Sequence, residues 1–166
     1  MSDQTNFIIR DYQPADAEHV KGLLNDFQDY IVSIDPLGRC RRMPGFAEHY
    51  LPKTLKKVEA HEGKFLLAEI DGQLVGFVVG VVIEREPGSE YEVVQDKIAR
   101  VIELYVDSAY RGLKVGKILV ETIENYFRQI DCVYCWIEVF EPNLLARDFY
   151  AKAGYQVRDL DQIKKL

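Results

Sequence analysis

An apolar run, Val101-Ile-Glu-Leu-Tyr-Val106, leads into a glycine-containing turn, and an amphipathic helix leaves it. This succession constrains the fold more than any other feature, because a strand and a helix must abut across a few residues. The helix is explicit in its period. Val115, Ile118, Leu119, Thr122, Ile123, Tyr126 and Phe127 recur at i, i+3, i+4 and i+7, so one face packs on a core. Lys114, Lys117, Glu121, Glu124 and Arg128 take the other face. The first amides of a helix have no internal partner, and the helix dipole is positive there. Such a turn suits an anion, most often a phosphate. Gly112 and Gly116 allow close approach to the backbone, since glycine has no Cβ. Lys114 and Lys117 stand in the first turn, where the dipole disfavours cations unless an anion is present. A solvated face that happens to begin with lysines is the alternative.

Other phosphate loops fit poorly. The GxxxxGK loop requires Ser or Thr next, and Lys117 is followed by Ile118. GxGxxG is absent. A nucleotide triphosphatase and a dinucleotide fold are therefore disfavoured. The net charge of −6 disfavours general nucleic-acid binding, which relies on neutralising phosphates. No apolar run reaches the length of a membrane span. Met1–Asn6 lacks the parts of a signal peptide, so a cytoplasmic location is expected. Cys40, Cys132 and Cys135 make no disulfide framework. Cys132 and Cys135 fall on opposite sides of a strand and read as buried thiols. His19, His49 and His61 are scattered, and no metal site is expected.

The 166 residues are expected to form one domain of the α/β class, a mixed sheet with helices on both faces. Phe7–Arg10 reads as the first strand. Pro14 opens a helix whose apolar face runs from Val20 to Ile34, and a second helix spans roughly 46–61. Lys64–Ile70 and Gln73–Ile83 are strands joined by Asp71-Gly72, a two-residue hairpin signal. The fourth strand covers Lys97–Val106, and the fifth lies in the apolar run Val133–Val139. Pro142-Asn143 opens the last helix, Gly154 caps it, and Tyr155-Gln-Val-Arg begins a terminal strand.

Arg111-Gly-Leu-Lys-Val-Gly116 resembles the acyl-CoA signature R/Q-x-x-G/A-x-G/A of the GNAT acetyltransferase superfamily. Asn143-Leu-Leu-Ala146-Arg-Asp-Phe149-Tyr150-Ala-Lys-Ala-Gly154-Tyr155 is similar to that family's last helix and turn. The two motifs stand in the family's order, separated by a helix and a strand. One position departs: Lys114 stands where the signature has its first glycine. The resemblance implies a mostly antiparallel sheet whose fourth and fifth strands diverge. It implies acetyl-CoA as acyl donor and a small amine or lysine-containing acceptor. Homodimers are common in the family.

By the same resemblance the donor is held by Leu104, Tyr105 and Val106 on the fourth strand. Arg111, Gly112, Leu113, Lys114, Val115, Gly116 and Lys117 hold it in the turn, and Asn143, Ala146 and Tyr150 on the last helix. Tyr150 matches the tyrosine that protonates the leaving thiolate, and its ordinary pKa of about 10 keeps it protonated at neutral pH. Glu103 and Glu138 each stand inside an apolar run, and desolvation there would suit a general base. Glu103 is preferred, with Glu138 as the alternate. A silent acyl-CoA-binding domain is the rival reading, kept open by Lys114. The loop carrying Glu84, Glu86, Glu90 and Glu92 would draw a cationic acceptor, whereas Arg39, Arg41 and Arg42 could hold a carboxylate or the donor's phosphate.

Overall fold

The structure is a computed structural model that describes residues 7–165. Its sheet has five strands in chain order: β1 (Phe7–Asp11), β2 (Lys64–Ile70), β3 (Gln73–Val82), β4 (Ile98–Val106) and β5 (Tyr134–Ile137). The β1–β2, β2–β3 and β3–β4 pairs are antiparallel, and β4–β5 is parallel. The helices are α1 (Ala17–Ile34), α2 (Phe46–Ala60), α3 (Val115–Gln129) and α4 (Leu144–Lys152).

Both faces of the sheet are buried, as the long apolar runs of β2 and β3 require. Leu66, Ala68 and Ile70 of β2 meet Leu119, Ile123 and Phe127 of α3. The alternate residues Phe65 and Leu67 meet Val20, Leu24 and Leu51 of α1 and α2. Close packing of α3 depends on Gly80, where a Cβ would come within 2.8 Å of Ile123 and Phe127. Asp71 and Gly72 both take positive φ, 49° and 80°, and close the β2–β3 hairpin as expected.

Two irregularities of β4 position everything that follows. Glu103 lies opposite Val79, but Val101 lies opposite Gly80, so Ile102 is an extra residue, a β-bulge. Ahead of it, Ala99 and Val101 belong to the α3 side of the core; beyond it Leu104 and Val106 pack there, while Tyr105 packs toward α1 and α2. The bulge thus reverses the alternation and turns Glu103 to the α1/α2 face. The second irregularity is a divergence. β5 pairs with β4 only from Ile98 to Val101, and β4 then continues to Val106 with β3 as its one neighbouring strand. This is the splay that the family resemblance implied.

Two expected strand segments differ. The fifth strand stops at Ile137, which leaves Glu138 outside it. The terminal strand is absent among the described residues: the Tyr155 amide closes the α4 turn on Tyr150 O at 3.0 Å, and no ladder follows. Alternation alone does not make a strand without a partner edge, and Val157, Leu160 and Ile163 remain exposed.

Candidate active site

A cavity of about 520 Å³ opens where β4 and β5 part, roofed by α1 and α2 and bordered by α4. Glu103 enters it from β4, Tyr50 from α2 and Tyr150 from α4. The Tyr50 hydroxyl donates to Glu103 Oε1. Tyr50 is itself stacked on Phe46, with ring centroids 5.1 Å apart. Burial pushes the Glu103 carboxyl up to about 7, and the Tyr50 hydrogen bond and the Lys57 charge pull against that rise. The Tyr50 phenol is raised in turn, by burial first and then by the Glu103 charge.

Tyr150 is 7% exposed, and its hydroxyl has no hydrogen-bond partner among the described residues. Its ring lies edge-on to Phe149 and Tyr155, at 5.0 and 5.5 Å. Burial raises the phenol's pKa, with smaller contributions from Cys135 and Glu103, so it stays protonated across the neutral range. Both ends of α4 are fastened. At its N-terminus Asn143 Oδ1 accepts from the Ala146 amide at 3.1 Å, a capping bond, and from the Tyr30 hydroxyl at 3.0 Å. Beyond its C-terminus the Tyr155 hydroxyl donates to Glu124 Oε1 of α3 at 2.8 Å. Asn143, Ala146 and Tyr150 border the same cavity.

The turn between β4 and α3 has the form its glycines suggest. Gly112 has φ +83°, and Lys114, the residue before the first helical turn, has φ +65°. The amides of residues 112–117 meet no acceptor among the described residues, and the Ile118 amide makes the first helical bond, to Lys114 O at 3.0 Å. Arg111 folds back, donating from Nε to Val106 O at 3.2 Å with its guanidinium 5.2 Å from the Tyr30 ring centre. Leu113 is exposed, Val115 is buried in the core, and Lys117 reaches Glu121 at 3.5 Å. Gly116 faces Val106 and Phe149 with room for a Cβ. Leu104 lines the cavity, whereas the Tyr105 side chain packs against Phe27 and Phe77 and offers only its backbone.

Glu138 borders the cavity but is exposed and ion-paired with Arg100, so the desolvation expected of it is not met. None of Glu84, Glu86, Glu90 and Glu92 lines the cavity. Arg42 is taken up by Asp29 at 2.6 Å, and neither Arg39 nor Arg41 reaches the cavity. The family resemblance implied that the first two helices help to build the acceptor site, but the sequence reading named no residue of α2; Tyr50, Lys53, Thr54 and Lys57 face the cavity. The signal was there as a polar stripe at i, i+3, i+4 and i+7.

Residues 31–155 match the acetyltransferase (GNAT) family. The chain belongs to that family. The GNAT family takes acetyl-CoA as its acyl donor. An uncharacterized N-acetyltransferase of Methanocaldococcus jannaschii is 38% identical over 97 residues, covering 58% of this chain and 54% of that protein. The spermidine N(1)-acetyltransferase of Thermoplasma acidophilum is 29% identical over 97 residues, covering 58% and 53%. The chain thus spans about half the length of the curated relatives it matches. Among solved structures, a mutant Bacillus halodurans protein superposes with a TM-score of 0.82 at 19% identity, covering 96% of this chain and 99% of that one. An aminoglycoside N-acetyltransferase in complex with CoA superposes with a TM-score of 0.72 at 14% identity, covering 100% and 98%. The GNAT fold is common to them. No described helix is long and apolar enough to cross a membrane.

Proposed function

We propose that the protein is an N-acetyltransferase that moves the acetyl group of acetyl-CoA to a primary amine by direct attack with both substrates bound. The observation that carries this reading is the meeting of Glu103 and Tyr150 in one cavity, a carboxyl balanced near neutrality and a phenol held protonated. Their complementary states suit the two proton transfers that aminolysis of a thioester requires. Glu103 takes a proton from the acceptor ammonium. The freed nitrogen forms a bond to the thioester carbonyl carbon, the carbon–sulfur bond breaks, and Tyr150 gives its proton to the departing sulfur; the second proton that the nitrogen sheds on becoming an amide restores the Tyr150 phenol, and Glu103 passes its own proton to solvent. No covalent enzyme intermediate is needed.

The donor's phosphates would sit on the amides of 112–117 with Arg111 and Lys114 beside them. Its pantetheine arm would pair with the open edge of β4 from Ile102 to Val106, and Asn143 and Ala146 would border it on α4. Exposure and the Arg100 ion pair make Glu138 the poorer base.

Isothermal titration tests the donor site: acetyl-CoA and CoA bind in the micromolar range and ATP does not. Failure of both CoA species to bind would sink the proposal. Thiol release over a panel of amines tests the transfer. Tyr150→Phe should lower kcat about 100-fold, within the range for a lost general acid, with acetyl-CoA affinity unchanged.

A further inference from the structure

Strand β4 runs between two chemically different regions, the turn beyond Val106 and the part of the cavity beside Arg100. β4 leads at Val106 into the amide-lined turn, which the preceding reading gives to the donor's phosphates. Arg100 lies six residues back along the strand, about 20 Å away at ~3.3 Å per residue. The C-terminus of α2 sits over that far end. Its next residue, His61, accepts at the carbonyl from Val82 N at 2.8 Å, and Val82 is paired with Ala99. Tyr50 meets Glu103 midway, and Lys53 and Lys57 continue along the same helix face toward Arg100.

The charges there do not balance. Arg100 and Glu138 neutralise each other. Glu103 is hydrogen-bonded by Tyr50 and stands in the field of Lys57, so one carboxylate faces two lysines. Tyr150 faces the cavity from α4, and α1 contributes only the uncharged Phe27, Gln28 and Ile31. Lys53 and Lys57 also line the cavity, and neither forms an ion pair among the described residues. Like charges at i, i+4 on a helix repel by a few tenths of a kcal/mol. The pair lies beyond Glu103 from the phosphate turn, so the donor's phosphates leave it unmatched.

We propose that the acceptor is an amine that also carries an acidic group, whose anionic oxygens Lys53 and Lys57 hold while the amine lies at Glu103. A carboxylate and a phosphate monoester share that chemistry. The inference rests on the proposed roles of Glu103 and Tyr150. It adds that the cationic end discriminates against polyamines, which would set like charges against the lysines. The same field favours the neutral, nucleophilic form of the acceptor nitrogen.

Matched acceptors test it. Thiol release at saturating acetyl-CoA is measured for L-lysine against cadaverine, which lacks only the carboxylate, and for O-phosphoethanolamine against ethanolamine. The acidic member of at least one pair should show a kcat/KM about tenfold or more above its partner, the worth of a charge-assisted contact. The pair that responds identifies carboxylate or phosphate. In the double variant Lys53→Gln, Lys57→Gln, that ratio should collapse toward one. The ratio is the readout because any effect of Lys57 on Glu103 cancels within a pair. Equal or better turnover of cadaverine, ethanolamine or spermidine overturns the proposal. So does the absence of thiol release with both acidic members when the donor is bound, or a ratio the double variant leaves intact. Two further measurements separate its failure from that of the underlying reading. If acetyl-CoA does not bind, or Glu103→Gln turns over at the wild-type rate, the transfer site itself is misassigned.

Discussion

Glu103 is held where its charge is disfavoured, and that sets both its use and its sensitivity. Burial raises its carboxyl to about 7, against the Tyr50 hydrogen bond and the Lys57 charge. Removing the Tyr50 hydroxyl removes one of the influences that favour the ionised form, so the pKa must rise further. As the proposed base, Glu103 must be unprotonated to work. Tyr50→Phe should therefore move the acid limb of the kcat/KM profile from about pH 7 to higher pH, with most activity recovered on the alkaline side. A purely structural defect would lower the whole profile and leave its midpoint in place. Direct 13C NMR titration of the Glu103 carboxyl gives the same answer without an acceptor. Glu103 and Tyr150, which the structure places in one cavity, were legible in the sequence as candidates, one as a carboxylate in an apolar run and the other through its motif. Tyr50 was not, because its partner lies 53 residues away and only the packing of α2 brings them together.

The elements show why a motif carries more than its consensus letters. Lys114 occupies a left-handed backbone position, φ +65°, which the family's glycine adopts freely. A side chain there costs about 1 kcal/mol, so the lysine is retained against local strain at the start of α3. Lys114→Gly should raise thermal stability by no more than about 0.5 kcal/mol once glycine's greater unfolded-state freedom is subtracted. It should also weaken acetyl-CoA binding about fivefold by removing an ammonium from the phosphates. Denaturant titration and calorimetry measure the two effects separately. Unchanged affinity would mean that the amides alone hold the donor. The register of β4 is the opposite case, structure that the motif does not announce. Counting by twos from Val101 would put Glu103 beside α3, and only the bulge at Ile102 turns it to α2. Bulges leave no reliable trace in a run of apolar residues. The short β5 and the unpaired segment after Tyr155 escaped for a related reason: hydrophobic alternation reports a surface suited to pairing, and pairing needs a neighbour.

At the scale of the molecule, the two sides of the cavity are held by unequal means. Strands β1 to β4 form a continuous antiparallel ladder with an apolar core on each face. β5 hangs on four residue pairs, and α4 is tied by the Tyr30–Asn143 and Tyr155–Glu124 hydrogen bonds. Regions with few buried apolar contacts open locally at lower free energy than the core. A donor seated between β4 and α4 would touch both sides, so its binding free energy adds to the cohesion of the weaker one. The net charge of −6 opposes an anionic ligand at long range, but salt screens that repulsion beyond about 8 Å. The local amides and cations therefore decide. At acetyl-CoA one hundred times its Kd, stability should rise by about 2.7 kcal/mol, or about 5–10 °C in Tm. Hydrogen exchange should locate the gain. Amides of α4, β5 and residues 102–106 should slow by as much as those of β2 and β3, about 100-fold, because opening them also releases the donor, whereas segments that open with the donor still bound should not slow. Protection confined to residues 112–117 would show a donor held by its phosphates alone, with the splay playing no part in binding it.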